Sequence, residues 1–293
     1  MDNRRKEERN TGKEDQADYQ VGSTEQEAGV DVMAEIEIIN GNADNICEYS
    51  MCGYKNIEHE GYKRKADWLR KRFSEGMGFK ILRSYDGEGV GFIEYTPGEY
   101  AWRAVEATGY MLIHCIMIYP KKYKGKSCGS LLLKECIKDA RKEKMHGVAV
   151  VTSKGTWMAG KELFLRNGFE LVDEAPATFE LLVKRFKKKA PLPKFKGDWD
   201  KKITSYGKGL TIIRSDQCPY IAKFVREIVE TAREKYGLDP QMVELTNCKE
   251  AQNAPSPYAT SGMIYNGRLV ADHPISNRRF INIMEKETKK HVV

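Results

Sequence analysis

The residues of this 293-residue chain best spaced to do chemistry lie between Tyr119 and Leu133, in the run YPKKYKGKSCGSLLL. An apolar, strand-like run ends there (YMLIHCIMIY, 110–119) and a helical pattern follows. Lys124, Gly125, Lys126, Ser127, Cys128, Gly129 and Ser130 make the turn between them. Backbone N–H groups at a helix start have no partner within the helix, and the helix dipole adds to their pull on an anion. Gly125 and Gly129 let the backbone approach a phosphate with no Cβ in the way. The plainer alternative is an ordinary strand-to-helix turn whose lysines face water. A P-loop is a further alternative, but Pro120 stands where its first glycine belongs, and Thr152-Ser153 ends the next strand where an acidic residue is wanted. A second candidate is Cys218, followed by Pro219 at the start of a long helical pattern. A thiol there meets the positive end of the helix, which lowers its pKa. Ile221 occupies the position of a resolving cysteine, so a dithiol cycle within the motif is excluded. Cys218 is then a monothiol redox or binding site, or an inert residue at a helix start.

Several elements must position these groups. Alternation from Ala34 to Asn40 predicts a first strand, and residues 45–73 read as helical with a break near Gly53. FKILR (79–83) and GVGFIEY (89–95) flank Asp86-Gly87, a hairpin signal. Leu132, Leu133, Cys136, Ile137 and Ala140 form the apolar stripe of the helix after the loop, and Val148–Val151 the next buried strand. A short helix is expected at about 158–166, then strands at 169–172 and 178–186. From Gly209 the order reads strand (210–214), long helix, strand (242–245), loop with Pro255 and Pro257, hairpin around Asn266-Gly267, and a final helix from about Asn277.

The formal charge of +7 suggests nucleic acid until it is located. Residues 184–202 alone carry a net +7, and residues 1–32 a net −4. A short, proline-punctuated basic run with few aromatic residues reads as a solvated linker rather than a nucleic-acid platform. Residues 1–32 have almost nothing to bury and are expected to be a disordered tail, with Met33 a candidate natural start. No apolar run is long enough to span a membrane, and no apolar stretch follows the N-terminal charges. Seven scattered cysteines without CxxC spacing point to the reducing cytoplasm and to neither a disulfide framework nor a zinc site. The expected division is tail 1–32, first domain 33–186, basic linker 187–206 and second domain 207–293, an α/β (α+β) architecture.

In order and motif, residues 33–186 resemble the GNAT family of N-acetyltransferases. The family's pyrophosphate loop (Arg or Gln, two residues, Gly, one residue, Gly or Ala) is matched by Lys124, Ser127 and Gly129; Lys124 keeps the charge and Ser127 stands for a glycine. The Leu-rich helix after it, and LFLRNGF (163–169) as the closing helix with its Gly-Phe turn, extend the likeness. Residues 102–105, PATFELLVKRF and QCPY resemble the subgroup with a C-terminal YoaP-like domain. Cys218-Pro219-Tyr220 also looks like half of a thioredoxin or glutaredoxin site, with Ser256-Pro257 in place of the opposing cis-proline.

The resemblance implies a mixed sheet whose fourth and fifth strands splay to admit acetyl-CoA, followed by a small thioredoxin-like domain. It implies acetyl transfer to an amine of a small molecule or peptide, without metal, nucleic acid or membrane. Main-chain groups of Ile116, Met117 and Ile118 would hold the pantetheine arm and polarise the thioester, and Lys124 to Ser130 would take the pyrophosphate. Phe164 stands beside the departing thiolate where the family often has a proton-donating tyrosine, and Trp157 where an asparagine is common. The candidates to remove the amine's proton are His114 and Glu94; the bland alternatives are a hydrogen-bonded core histidine and a solvated strand glutamate. A non-catalytic acyl-CoA-binding module, or a thiol-dependent adaptor acting through the second domain, are the other functions left open.

Overall fold

A computed structural model describes residues 36–54, 56–155 and 157–289, so the tail and the candidate start at Met33 lie outside the described residues. Seven strands form the main sheet: β1 (Ile36–Gly41), β2 (Gly78–Ser84), β3 (Gly89–Pro97), β5 (Tyr110–Ile118), β6 (Gly147–Ser153), β7 (Glu170–Ala175) and β8 (Phe179–Arg185). Their spatial order is β1-β2-β3-β5-β6-β8-β7, and only the β5–β6 pair is parallel. A parallel pair needs a crossover, and α2 (Cys128–Lys142) supplies it.

α2 lays Leu132, Leu133, Cys136 and Ala140 on one face of the sheet, against Ile113, Val148 and Val150. The alternate residues Leu112, Ala149 and Val151 point to the opposite face, as strand periodicity requires. That opposite face also receives α1 (Glu60–Phe73), whose Tyr62, Ala66 and Leu69 pack with Phe79, Ile81 and Phe92. The His59 side chain caps α1 by accepting the Gly61 N–H at 3.1 Å. The expected helical stretch 45–73 is thus a single 3-10 turn (Ile46–Glu48) and α1; Cys52 and Gly53 both take positive φ between them. The closing helix α3 (Glu162–Arg166) is shorter than expected.

The basic run is not a free tether. A two-residue strand in it, β9 (Lys194–Phe195), pairs with β4 (Val105–Glu106), and the Phe195 N–H donates to Asp173 Oδ2 at 2.7 Å. The run continues into α4 (Trp199–Thr204), and Trp199 packs against the core. One buried aromatic anchor, Phe195, and one partly buried, Trp199, outweigh the solvation of the basic residues around them.

A four-stranded sheet follows, from β10 (Leu210–Arg214), β11 (Gln241–Glu244), β12 (Ser261–Tyr265) and β13 (Arg268–Ala271), in the order β11-β10-β12-β13. β10 and β11 are parallel and the other pairs antiparallel. Helices α5 (Tyr220–Tyr236) and α7 (Asn277–Lys289) cover one face. From the other face Ile213 and Ile264 join Phe79, Phe92, Trp68 and Trp102 in one continuous core. The segment expected to be only loop contains α6 (Cys248–Gln252), capped by Asn247, whose side chain accepts from the N–H groups of Lys249 and Glu250.

Candidate active site

β5 and β6 run in register from Tyr110↔Gly147 to Ile113↔Val150 and then part. The cause lies on β5. Across from β3, Ile113 pairs with Tyr95 and Cys115 with Glu94, so His114 is an extra, unpaired residue in the ladder. Such a bulge bends a strand and re-aims its side chains. Residues Cys115 to Ile118 accordingly lose part of their cover and are half-buried, although the sequence suggested burial along the whole strand.

Beyond the parting point, the loop expected to grip a diphosphate lies exposed from Lys124 to Ser127. Its internal bonds engage two N–H groups, Lys124 to Lys121 O at 3.1 Å and Lys126 to Tyr123 O at 3.3 Å. Among the described residues no carbonyl accepts from the N–H groups of Ser127 to Ser130, the first turn of α2. Gly125 (φ +78°) and Ser127 (φ 62°) are both left-handed, and the space where a Gly125 side chain would stand is open. Gly129 serves a different end: its missing Cβ admits Leu163 of α3. The Ser130 hydroxyl accepts from Asn167 Nδ2 at 3.0 Å, tying α2 to the end of α3. Phe164 does not line this space; it is fully buried beside Phe169 in the core under α2.

Both expected proton acceptors face the α1 side, and both are fully committed. Glu94 is completely buried, accepts from Lys65 Nζ and from Gln217 Nε2 (3.0 Å), and faces His114 Nδ1 at 3.3 Å. Burial alone would raise its carboxyl, but the Lys65 ammonium and the His114 ring outweigh that and hold it down to about 2. The His114 Nε2 accepts the Trp102 N–H at 2.9 Å, so its lone pair is used, and burial pushes its pKa below the ordinary histidine value. Neither residue can take a proton from an incoming amine, which corrects the expectation for both. A carboxylate this well paired is too weak a base, and an imidazole with its lone pair filled has no room for one.

The same cluster holds residues that pattern reading passed over. The Arg103 guanidinium is 2% exposed and donates to His114 O (3.0 Å), Trp102 O (3.0 Å), Tyr258 O (3.2 Å) and Thr260 Oγ1 (3.2 Å). It thereby fastens the bulge of β5 to the segment before β12. Lys65 had a local signal, a lysine between Tyr62 and Leu69 on the apolar stripe of α1. Gln217 and Thr260 had none.

Cys218 precedes α5 and sits against this cluster. Burial pushes its thiol up to about 11, and the Tyr220 N–H offsets only part of that. The helix-start effect expected to activate it is therefore overruled, and the Ser256–Pro257 bond is trans. Next to it the Tyr220 hydroxyl donates to Cys52 O at 2.9 Å, and its ring lies 5.3 Å from Trp157, the residue standing for the family's asparagine. All seven cysteines are free, and among the described residues no cluster of potential metal ligands occurs.

A profile of the acetyltransferase (GNAT) family matches residues 43–169, and a YoaP-like profile matches residues 241–282. A relative from Bacillus subtilis (strain 168), described as the uncharacterized N-acetyltransferase YoaP, is 31% identical over 257 residues, covering 86% of this chain and 98% of its own. Among solved structures, a GNAT family N-acetyltransferase (YhbS) from Escherichia coli in complex with CoA is 15% identical. It covers 55% of this chain and 89% of its own, at a TM-score of 0.37. A putative acyl-CoA N-acyltransferase from Klebsiella pneumoniae is 16% identical over 51% of this chain and 97% of its own, at a TM-score of 0.35.

Proposed function

The chain belongs to the GNAT acetyltransferase family, and from that premise we propose that it transfers the acetyl group of acetyl-CoA directly to a primary amine of a small molecule or peptide. The observation that carries this reading is the parting of β5 from β6 after Ile113 and Val150, with the open N–H groups of Ser127 to Ser130 beside it. The pyrophosphate rests on the turn from Lys124 to Ser130, and the pantetheine arm runs along the unpaired edge of Ile116 to Ile118. A main-chain N–H of that edge faces the thioester carbonyl and stabilises the oxyanion as the amine adds, usually the largest catalytic contribution. Glu94, Lys65, Arg103 and His114 act behind it, fixing the bulge that turns this edge outward.

Residues 207–293 form a thioredoxin-like domain in this reading, supported by the order β11-β10-β12-β13 and by the helix that starts just after Cys218. A thiol held up to about 11 argues for a building role over redox chemistry there. Free cysteines throughout suit a reducing, cytoplasmic setting.

Titration calorimetry with acetyl-CoA tests the reading. Saturable binding in the roughly micromolar-to-millimolar range of enzyme substrates is expected, with free thiol released when an acceptor amine is added. No heat at millimolar acetyl-CoA would sink the donor site, and binding without thiol release over a broad amine panel would leave a non-catalytic acyl-CoA-binding module.

A further inference from the structure

The stretch of β5 assigned above to acetyl-CoA pairs with β3 on one side and leaves β6 after Ile113 on the other. Two anchors hold it, one at His114 just before it and one at Tyr119 just after it. Both anchors are completed by residues of the second domain. The first is a closed circuit of buried side chains. Glu94 faces the His114 Nδ1 at 3.3 Å and accepts from Gln217 Nε2 at 3.0 Å. The Gln217 Oε1 accepts from the Thr260 hydroxyl at a long 3.5 Å, and the same hydroxyl accepts from Arg103 Nη1 at 3.2 Å. Arg103 Nη2 then returns to the His114 carbonyl at 3.0 Å.

None of these five residues is more than 4% exposed. Two of the links, Gln217 before α5 and Thr260 before β12, come from the second domain. Their side chains suit the place. An amide donates at one end and accepts at the other, and a hydroxyl does both from one oxygen. The amide N–H therefore meets the Glu94 carboxylate, and the hydroxyl oxygen meets the Arg103 guanidinium. Without them each buried charge loses a partner, the costly way to break a buried network. The second anchor has the same make-up. The Tyr119 hydroxyl accepts the Cys52 N–H at 2.9 Å, and the Tyr220 hydroxyl donates to the Cys52 carbonyl at 2.9 Å. Cys52 takes a left-handed φ of 54°, which a non-glycine residue keeps only where its surroundings hold it. A Cβ at Gly53 would lie 3.7 Å from the Tyr220 hydroxyl and 3.9 Å from the Tyr119 ring, so three remote segments converge on this bend.

Resting on the acetyltransferase reading, we propose that the second domain is a working part of the transferase, with Gln217, Thr260 and Tyr220 as positioning residues that hold the free edge of β5 in the shape that receives acetyl-CoA. They touch neither donor nor acceptor. Gln217 and Thr260 act through Glu94, Arg103 and the His114 bulge, and Tyr220 acts through Cys52 and Tyr119. The acetyltransferase half does not set this edge by itself.

The test compares the full chain with Thr260→Val, Thr260→Ser, Tyr220→Phe and, as a control, Phe280→Leu in the separate core under α5 and α7. Two quantities are measured: amide hydrogen exchange over residues 114–119 without ligand, and acetyl-CoA affinity by titration calorimetry. Thr260→Val should speed that exchange and weaken acetyl-CoA binding about tenfold, the scale of one buried hydrogen bond. Thr260→Ser keeps a hydroxyl that both donates and accepts, and should bring both quantities back to within about twofold of wild type. Tyr220→Phe removes a single oxygen and should speed exchange at the Tyr119 end, with several-fold weaker binding; it carries the test should the valine variant not fold. Phe280→Leu should lower the melting temperature and leave both quantities unchanged. Wild-type exchange and affinity in both Thr260→Val and Tyr220→Phe overturn the proposal and leave the acetyltransferase reading intact. Equal losses in Phe280→Leu overturn it too, because they mark a general loosening. Absence of acetyl-CoA binding by the wild type overturns the acetyltransferase reading, and with it the purpose assigned to the anchors.

Discussion

A carboxylate with no exposed surface must be paired, and Glu94 owes its charge to Lys65 and His114. Breaking that pairing is costly where replacing it is not. Glu94→Gln leaves the Lys65 ammonium buried without its partner and is expected to lower unfolding free energy by about 3–5 kcal/mol. The double variant Lys65→Met, Glu94→Gln should recover much of the loss in urea titrations, and the absence of any recovery would mean the two charges are not coupled. His114 titrates in a definable direction. Its folded pKa lies below the ordinary histidine value of 6.5, so the unfolded chain binds the proton first and stability falls as pH drops below about 6.5. Glu94 adds a second loss between its ordinary 4.5 and about 2. Urea midpoints at pH 7 and pH 5 should therefore converge in His114→Gln relative to wild type. These roles were invisible in sequence because the partners are remote: Lys65 is 29 residues from Glu94, Gln217 is 123 away, and Thr260 is 157 from Arg103. Residue type alone made both Glu94 and His114 candidate proton acceptors, with a solvated glutamate and a hydrogen-bonded core histidine as the alternatives. The structure matches the core-histidine alternative and not the solvated glutamate.

Elements were far more legible. The hairpin of β2 and β3, the stripe of α2 and the second hairpin at Asn266-Gly267 are written in periods of two and 3.6 and in turn residues, all local signals. What escaped were interruptions of regularity. The bulge at His114 has no sequence mark, and α6 was passed over between prolines although Asn247 and Glu250 carry a capping signature. The loop before α2 can be separated from generic glycine turns by a paired experiment. Gly125 and Gly87 both have positive φ (+78° and +91°) and open space around the missing Cβ. Alanine at either should cost about 1–2 kcal/mol of local strain, but only Gly125→Ala should weaken acetyl-CoA binding in calorimetry. Equal binding by both variants would remove Gly125 from the donor site.

At the scale of the whole molecule, the sequence suggested two domains and a tether, and in the structure the two sheets pack on a common interior. Ile213, Ile264 and Ala251 pack with Trp68, Trp102 and Phe92, and Gln252 donates to the carbonyls of Glu99 and Ala101 at 3.0 and 3.2 Å. A single calorimetric transition is expected, and a chain ended at Phe186 should expose that interior, bind hydrophobic dyes and aggregate; two separated transitions would contradict the shared core. The basic stretch has a last consequence. Lys187, Lys188 and Lys189 are exposed, whereas Phe195 a few residues on is clamped under β4. Trypsin should nick this bend quickly, yet the two fragments should travel together through a sizing column, a cut molecule still whole.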